Sequence, residues 1–279
     1  MKDVDVTAPQ PINALIYGPS DGGKTTFIGT WPKLAMLITE KTSSLGALAD
    51  LYQRTRVKPV RTVVAESRED VEEFLTWLEQ PGTHSQIQTV AMDSITQHGN
   101  NLLLQVIDEH AAVFKRKLRT PESPEMQDWT RILIPELRIL KRLSDLGYHT
   151  VMTAHARIWI TPIERRRYRM ATRTGAADIA DKIPETYYPN LRGGLGDVLP
   201  HFFNLVIFMY HDAVMGERRA CFRQSQTYFA KTQYSKLPDI LVNPDYEMLV
   251  RGIAGEISPA KDDSGEIRHQ QQEEDIPDF

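Results

Sequence analysis

The 279-residue chain is short of the features that mark secreted, metal-binding and membrane proteins. Its single cysteine, Cys221, excludes an intrachain disulfide and fits a reducing compartment, where we expect the thiol to pack in a strand. The eight histidines show no metal-ligand spacing, which argues against a zinc site. The longest apolar run, 202–210, is too short to cross a bilayer, and no basic-then-apolar leader is seen. We therefore expect a cytoplasmic protein that does not engage a membrane.

An excess of basic charge is also lacking. The 33 Lys and Arg residues face 37 Asp and Glu residues, which gives a net charge of −4 and a pI near 6.1. The overall balance therefore gives no sign of a nucleic-acid partner, and any basic surface has to be local. Residues 1–11 predict a flexible arm and 257–279 a disordered acidic tail, because both are polar; 12–256 would form the core.

What the chain does contain is a glycine-rich loop between a strand and a helix. Residues 12–17 predict a buried strand and 26–31 the first turns of a helix. The segment between them matches G-x-x-x-x-G-K-[ST], the phosphate-binding P-loop, although an ordinary glycine turn is the alternative. Lys24 would reach the β- and γ-phosphates of ATP, and the Thr25 hydroxyl would take one Mg²⁺ position. The predicted nucleotide contacts are Gly18, Pro19, Ser20, Asp21, Gly22, Gly23, Lys24, Thr25 and Thr26.

Polar residues follow three further apolar strands. Asp93 ends the strand at 89–94 and fits the second Mg²⁺ anchor of nucleotide hydrolases, the Walker B position; a helix cap is the alternative. Glu40 follows the strand at 34–39, where a base or water-orienting group is needed, unless it is a surface glutamate. His155 ends the predicted strand at 148–154 and could sense the γ-phosphate; a structural loop histidine is the competing interpretation.

The order of the elements predicts an α/β fold with a mainly parallel central sheet covered by helices on both faces. A helix capped by Ser43 or Ser44 would run through Arg54, and another would cover 68–79. Two short strands are predicted at 157–162 and 165–170, before a loop rich in glycine and proline. Later strands at 203–210, 220–224 and 228–232 predict a β-rich C-terminal extension of the same sheet.

This arrangement resembles the RecA-type ATPase core. More closely, it is similar to compact phage proteins with a RecA-like core, the Sak-type single-strand annealing recombinases. The resemblance covers about residues 12–240 and lies in the P-loop, the Walker B segment 89–96, the strand 151–155, the loop 189–194 and a late strand 228–231 ending in lysine. It departs at residues 231–233, where the family often carries another basic residue soon after the lysine.

The resemblance implies an ATPase that uses ATP and Mg²⁺, binds single-stranded DNA, and assembles into a ring or filament in an infected bacterial cell. Glu40 would polarise the attacking water, and His155 would couple the γ-phosphate to DNA-binding loops. Lys231 would reach the ATP of a neighbouring subunit, although a solvated strand-end lysine is the alternative. The corresponding loops carry two basic clusters, which could equally be solvated charge: Lys115, Arg116, Lys117 and Arg119, and Arg165, Arg166, Arg167, Tyr168 and Arg169.

The acidic C-terminal segment 273–279 is similar to the tip of bacterial single-stranded-DNA-binding proteins, which docks onto replication or repair partners. It could recruit such proteins, shield the basic loops, or only aid solubility. Three other functions stay open: a AAA+ helicase loader, a small-molecule kinase, and a module that binds ATP only as a switch. The loader class carries a helical lid where 200–232 here predict strands.

Overall fold

The computed structural model describes residues 10–114, 126–159, 186–191 and 195–257. Strands and helices alternate through most of these ranges. The strands are β1 (Asn13–Gly18), β2 (Leu34–Ile38), β3 (Arg61–Val64), β4 (Thr89–Asp93), β5 (His149–Trp159), β6 (Thr186–Pro189), β7 (Leu205–Asp212), β8 (Glu217–Cys221), β9 (Lys231–Thr232) and β10 (Ile240–Val242). The helices are α1 (Lys24–Gly29), α2 (Lys41–Thr55), α3 (Arg68–Leu78), α4 (Ile95–Phe114), α5 (Met126–Asp145), α6 (Leu195–Val198) and α7 (Tyr246–Ala254), and 3₁₀ turns cover Ser20–Gly22 and Leu199–Phe202.

The sheet runs in the order β10-β8-β7-β1-β5-β4-β2-β3. The neighbours from β7 to β3 are parallel, whereas β8 and β10 are antiparallel at one edge. Two short strands lie off this path, because β6 pairs with the end of β5 and β9 with β7. The predicted α/β fold, with its mainly parallel sheet and β-rich extension, is confirmed.

Both faces of the sheet are covered, as a parallel sheet requires. Alternate residues of β1 enter different cores: Leu15 and Tyr17 pack on one side, Ala14 and Ile16 on the other. Helices α3 and α5 contribute to the first core, and α1 and α7 to the second. All four of these β1 side chains are fully buried, so the strand that leads into the glycine loop is held from both sides.

Helix α3 shows why the predicted helices form where they do. Ser67 Oγ accepts a hydrogen bond from the Asp70 backbone N–H at 3.2 Å, and Asp70 Oδ2 accepts one from the Ser67 N–H at 2.8 Å. This reciprocal cap satisfies two donors that a helix start leaves free. The helix then buries one apolar face, consisting of Val71, Phe74, Leu75 and Leu78.

Two predicted boundaries near the strand ends are wrong. Helix α2 begins at Lys41, so neither Ser43 nor Ser44 caps it. Strand β5 does not end before His155 but continues to Trp159, because its last residues pair with β6. The first predicted short strand, 157–162, is therefore in part the end of β5, and the second, 165–170, lies outside the described residues.

The C-terminal half also departs from the predicted pattern. The strand expected at 228–232 is reduced to β9, because Tyr228 makes only an isolated bridge to Tyr187 and the Phe229 carbonyl accepts a hydrogen bond from the Tyr17 hydroxyl. Strand β10 and helix α7 were not predicted. In the part of the chain that is described, no helix is long and apolar enough to span a membrane.

Two ionisable side chains, Glu136 and His98, are buried between α4 and α5. Among the described residues, neither carboxylate oxygen of Glu136 nor the Nε2 atom of His98 has a hydrogen-bond partner, and the side chains around both residues beneath β4 are apolar. Burial raises the pKa of Glu136 to about 8 and lowers the pKa of His98 to about 4. Both side chains are therefore neutral near pH 7 in the folded protein.

We expect Glu136→Gln to remove a pH dependence of stability. Between about pH 6.5 and 8, an unfolded glutamate is ionised but the pKa of folded Glu136 keeps it protonated, so stability falls as the pH rises. His98 acts in the opposite direction near pH 6.5, because an unfolded histidine is still partly protonated there while folded His98, with its lowered pKa, is neutral, but this contribution is the same in the wild type and in Glu136→Gln. The wild-type free energy of unfolding should decrease by roughly 2 kcal/mol more than that of the variant, measured by urea denaturation.

The matched control is Glu73→Gln, because Glu73 is exposed on α3. It should keep the wild-type pH dependence. Equal slopes for the wild type and Glu136→Gln between pH 6.5 and 8 would contradict a buried neutral carboxyl at position 136.

Candidate nucleotide-binding site

The glycine loop is pressed against the backbone of β7. A Cβ atom added to Gly18 would lie 1.8 Å from the Met209 carbonyl oxygen, which leaves no room for any side chain. Gly23 has φ +82°, a conformation that residues with a side chain rarely adopt. The pattern therefore needs glycine at these two positions for different reasons, one steric and one conformational.

Lys24 is buried at the centre of this loop, with 8% of its surface exposed. Its ammonium group donates to the carbonyl oxygens of Gly18 at 3.0 Å and Pro19 at 2.7 Å. Burial lowers its pKa, and the nearby carboxylates of Asp93 and Glu40 oppose that shift. A cation held by carbonyl groups in a loop of this shape suits a polyphosphate ligand.

The Asp93 carboxylate accepts hydrogen bonds from hydroxyl groups on three other elements. Its Oδ2 accepts hydrogen bonds from Thr25 Oγ1 and Ser44 Oγ, both at 2.7 Å, and its Oδ1 accepts one from Thr153 Oγ1. Asp93 is 4% exposed, so these bonds satisfy a carboxylate that is almost out of contact with solvent. The contact joins the P-loop, α2 and β5 to the end of β4.

The two residues predicted to hold Mg²⁺ lie together. Thr25 and Asp93 are in direct contact and offer a hydroxyl and a carboxylate oxygen, the ligand type that this hard cation prefers. Among the described residues, no group of three or more His, Cys, Asp or Glu side chains could hold a metal by itself. In nucleotide sites, Mg²⁺ is held by one or two protein ligands together with phosphates and water.

Glu40 lies beside this pair and is oriented by two partners. Its Oε1 atom is 2.6 Å from His155 Nε2 and also accepts a hydrogen bond from Ser94 Oγ. The hydrogen bond from His155 is the main cause that lowers the pKa of Glu40, burial opposes it, and Ser94 adds to the lowering. Glu40 is therefore an ionised, positioned carboxylate near pH 7, able to accept a hydrogen bond from water.

The strand order explains why these residues meet. Strand β5 lies between β1 and β4, and His155 is paired with Gly18. The carboxyl ends of β1, β2, β4 and β5 therefore share one edge, where ligands bind in sheets of this kind. Thr39 locks two of these ends together, because its Oγ1 donates to the Ser94 carbonyl at 2.7 Å and accepts from the Ser94 N–H at 2.8 Å.

Other predicted site residues are not brought to this edge. Lys231 pairs with Val206 in the first half of β7, and its ammonium group donates to the carbonyl oxygens of Pro200 and Phe203 at 3.4 and 3.3 Å. Its role toward a neighbouring subunit stays a prediction. The predicted DNA-binding residues 115–119 and 165–169, and the acidic tail, lie outside the described residues.

Three residues contact the site although no site role was predicted for them. Ser44 was expected to cap α2 but instead contacts Asp93, while Ser94 and Thr153 lie in the Walker B segment and in the strand 151–155, where only Asp93 and His155 were assigned roles. A hydroxyl near the carboxyl end of each strand was the available signal. It carries little information by itself, because Ser and Thr are common at strand ends and helix starts.

Comparison with known proteins agrees with this geometry. A family model described as an AAA domain matches residues 10–234, more than half of the 279-residue chain. The match begins before β1 and ends after β9, so it includes the P-loop, Glu40, Asp93 and His155. No curated protein matches the sequence. The chain therefore belongs to the AAA_24 family and is a P-loop protein built on an AAA domain.

Proposed function

We propose that the protein hydrolyses ATP to ADP and phosphate. The observation that carries this proposal is the carboxylate of Glu40, held by His155 and Ser94 beside the Lys24–Thr25–Asp93 cluster. An ATPase needs a phosphate cradle, a cation site and a group that orients water, and these are the three parts that meet here.

Each part has a separate task in the proposed reaction. Lys24 and the loop hold the β- and γ-phosphates, and Thr25 and Asp93 would hold Mg²⁺, which neutralises charge on phosphate oxygens when it is bound. Glu40 accepts a hydrogen bond from the attacking water and orients it toward the γ-phosphate. His155 keeps the Glu40 carboxylate in place through its Nε2 atom.

The finer proposal is that this site controls single-stranded DNA binding in a recombinase that promotes annealing or strand exchange. His155 touches Glu40 and belongs to β5, which runs on to Trp159. The basic segment 165–169 begins six residues further along the chain. A change at the γ-phosphate that moved His155 would therefore act on the strand leading directly to a candidate DNA-binding loop.

The remaining parts of the proposal rest on the resemblance to phage recombinases. They are assembly into a ring or filament, a contact of Lys231 with the neighbour's nucleotide, and recruitment of replication or repair proteins by the acidic tail in the cytoplasm of an infected cell. The helicase-loader alternative expects a helical lid, whereas the described residues that follow β7 form the antiparallel strands β8, β9 and β10 and one short helix, α7.

Glu40→Gln should stop turnover without stopping nucleotide binding. The amide keeps the size of the side chain but loses the charge that orients water, so the rate should fall about 10²- to 10⁴-fold. Phosphate release and nucleotide affinity are measured on the same preparation. Lys24→Ala is the companion variant and should lose binding itself, because it removes the cation at the centre of the loop.

Two results would contradict the proposed ATPase. One is a Glu40→Gln variant that releases phosphate at the wild-type rate. The other is wild-type protein that forms ADP only together with a phosphorylated acceptor, which would identify a kinase.

His155→Ala should abolish the effect of bound nucleotide on the affinity for single-stranded DNA. The variant loses the group that positions Glu40 and connects it with β5, so single-stranded DNA affinity should become equal with and without a non-hydrolysable ATP analogue. DNA affinity is measured by fluorescence anisotropy in both states. His84→Ala is the control, because His84 is exposed and precedes β4. If nucleotide still changes the DNA affinity of His155→Ala, the proposed connection from the γ-phosphate through Glu40 and His155 to β5 is ruled out.

Replacing Arg165, Arg166 and Arg167 together by Ala should reduce the salt dependence of single-stranded DNA binding. Removing one phosphate–arginine ion pair lowers the slope of log K against log salt by about 0.7, so the slope should change by roughly 2. A triple variant of the exposed Arg54, Arg68 and Arg251 removes the same charge elsewhere and should keep the wild-type slope. An unchanged slope in the first variant would refute the assignment.

A further inference from the structure

Arg218 lies over the P-loop, although it is far from it in the sequence. If Gly23 carried a Cβ atom, that atom would be 2.4 Å from Arg218 Cδ and 2.7 Å from Arg218 Nε. The half-buried arginine thus occupies the space that the missing side chain of Gly23 leaves open. The absence of a Cβ at Gly23 is needed for this contact as well as for its φ of +82°.

The charge of Arg218 is not neutralised by an acidic partner in the described part of the chain, unlike that of two arginines close to it in the sequence. Arg219 is 3.3 Å from Asp212, and Arg223 forms an ion pair with Asp239. A half-buried guanidinium group without such a partner is available to an anionic ligand at the adjacent phosphate-binding loop.

The backbone of Arg218 is fixed from both sides. It pairs with His211 on β7, the strand whose Met209 carbonyl lies against Gly18. On the other side the Arg218 N–H donates to Asn243 Oδ1 at 3.0 Å, and the Asn243 N–H donates to the Arg218 carbonyl at 2.6 Å. The loop and the arginine are therefore positioned by one rigid element, so their relative placement is built in.

We propose that Arg218 binds a phosphate oxygen of the bound nucleotide, as a second cation beside Lys24. The proposal rests on the ATP binding proposed above. The planar guanidinium fork matches phosphate oxygens and donates charge-assisted hydrogen bonds to them. Phosphate is favoured over the base because the Cδ and Nε atoms of Arg218 lie against Gly23, in the loop that holds the phosphates.

The test compares ATP with inorganic tripolyphosphate, which shares the phosphates but has no base or ribose. Arg218→Met keeps a stem that can pack on Gly23 and removes the charge. It should weaken binding of both ligands by about tenfold or more, the effect of removing a charged hydrogen bond. Arg218→Lys should bind both ligands with intermediate affinity, because it retains the charge without the fork. Arg223→Met is the control and should bind as the wild type does.

Each outcome decides a different point. Weaker binding of ATP with unchanged binding of tripolyphosphate would overturn the phosphate contact in favour of a base contact, and unchanged binding of both would overturn any contact. Wild-type protein that binds neither ligand would overturn the proposed function itself. Should Arg218→Met fail to fold, as shown by its thermal transition, Arg218→Lys decides, since wild-type affinity for both ligands would refute the fork contact.

Discussion

The carboxylate of Asp93 is the contact on which the rest of the site depends. It is nearly excluded from solvent and accepts hydrogen bonds from Thr25, Ser44 and Thr153. A buried charge of this kind is stable only while its partners are in place, because removing any of these hydrogen bonds would leave a desolvated oxygen unpaired. The P-loop helix, α2 and β5 therefore each contribute a hydroxyl group to one side chain at the end of the Walker B strand.

The position of β5 between β1 and β4 brings two of its side chains to this site. A strand inserted there places Thr153 against Asp93, and two residues later it places His155 against Glu40. Residues two apart in a strand point to the same face, so one strand contacts both Asp93 of the proposed cation site and Glu40, the proposed water-orienting group. The same strand continues beyond the site, which makes it a rigid connection from the nucleotide edge to the segment that follows Trp159.

The sequence was sufficient for the parts of the site that follow from local patterns. The P-loop, the apolar strands and the acids at 40 and 93 were predicted because each is a short run with its own signal. The length of β5 was not, since residues 156–159 are held in the strand by pairing with β6, far along the chain. The role of Ser44 was hidden for a similar reason: its partner, Asp93, is 49 residues away. Arg218 meets Gly23 only through the pairing of β8 with β7.

The charges around the loop explain why one lysine is not a sufficient cation for a nucleotide. Asp93 and Glu40 already act on Lys24, as the opposition of both carboxylates to the lowering of its pKa shows. An incoming triphosphate would compete with these carboxylates for Lys24 and would be repelled by them. Additional positive charge would therefore favour nucleotide binding, and in the proposed site it would come from Mg²⁺ at Thr25 and Asp93 on one side and from the protein on the other. Arg218 is a cation in the right place, held over the loop and without an acidic partner in the described residues.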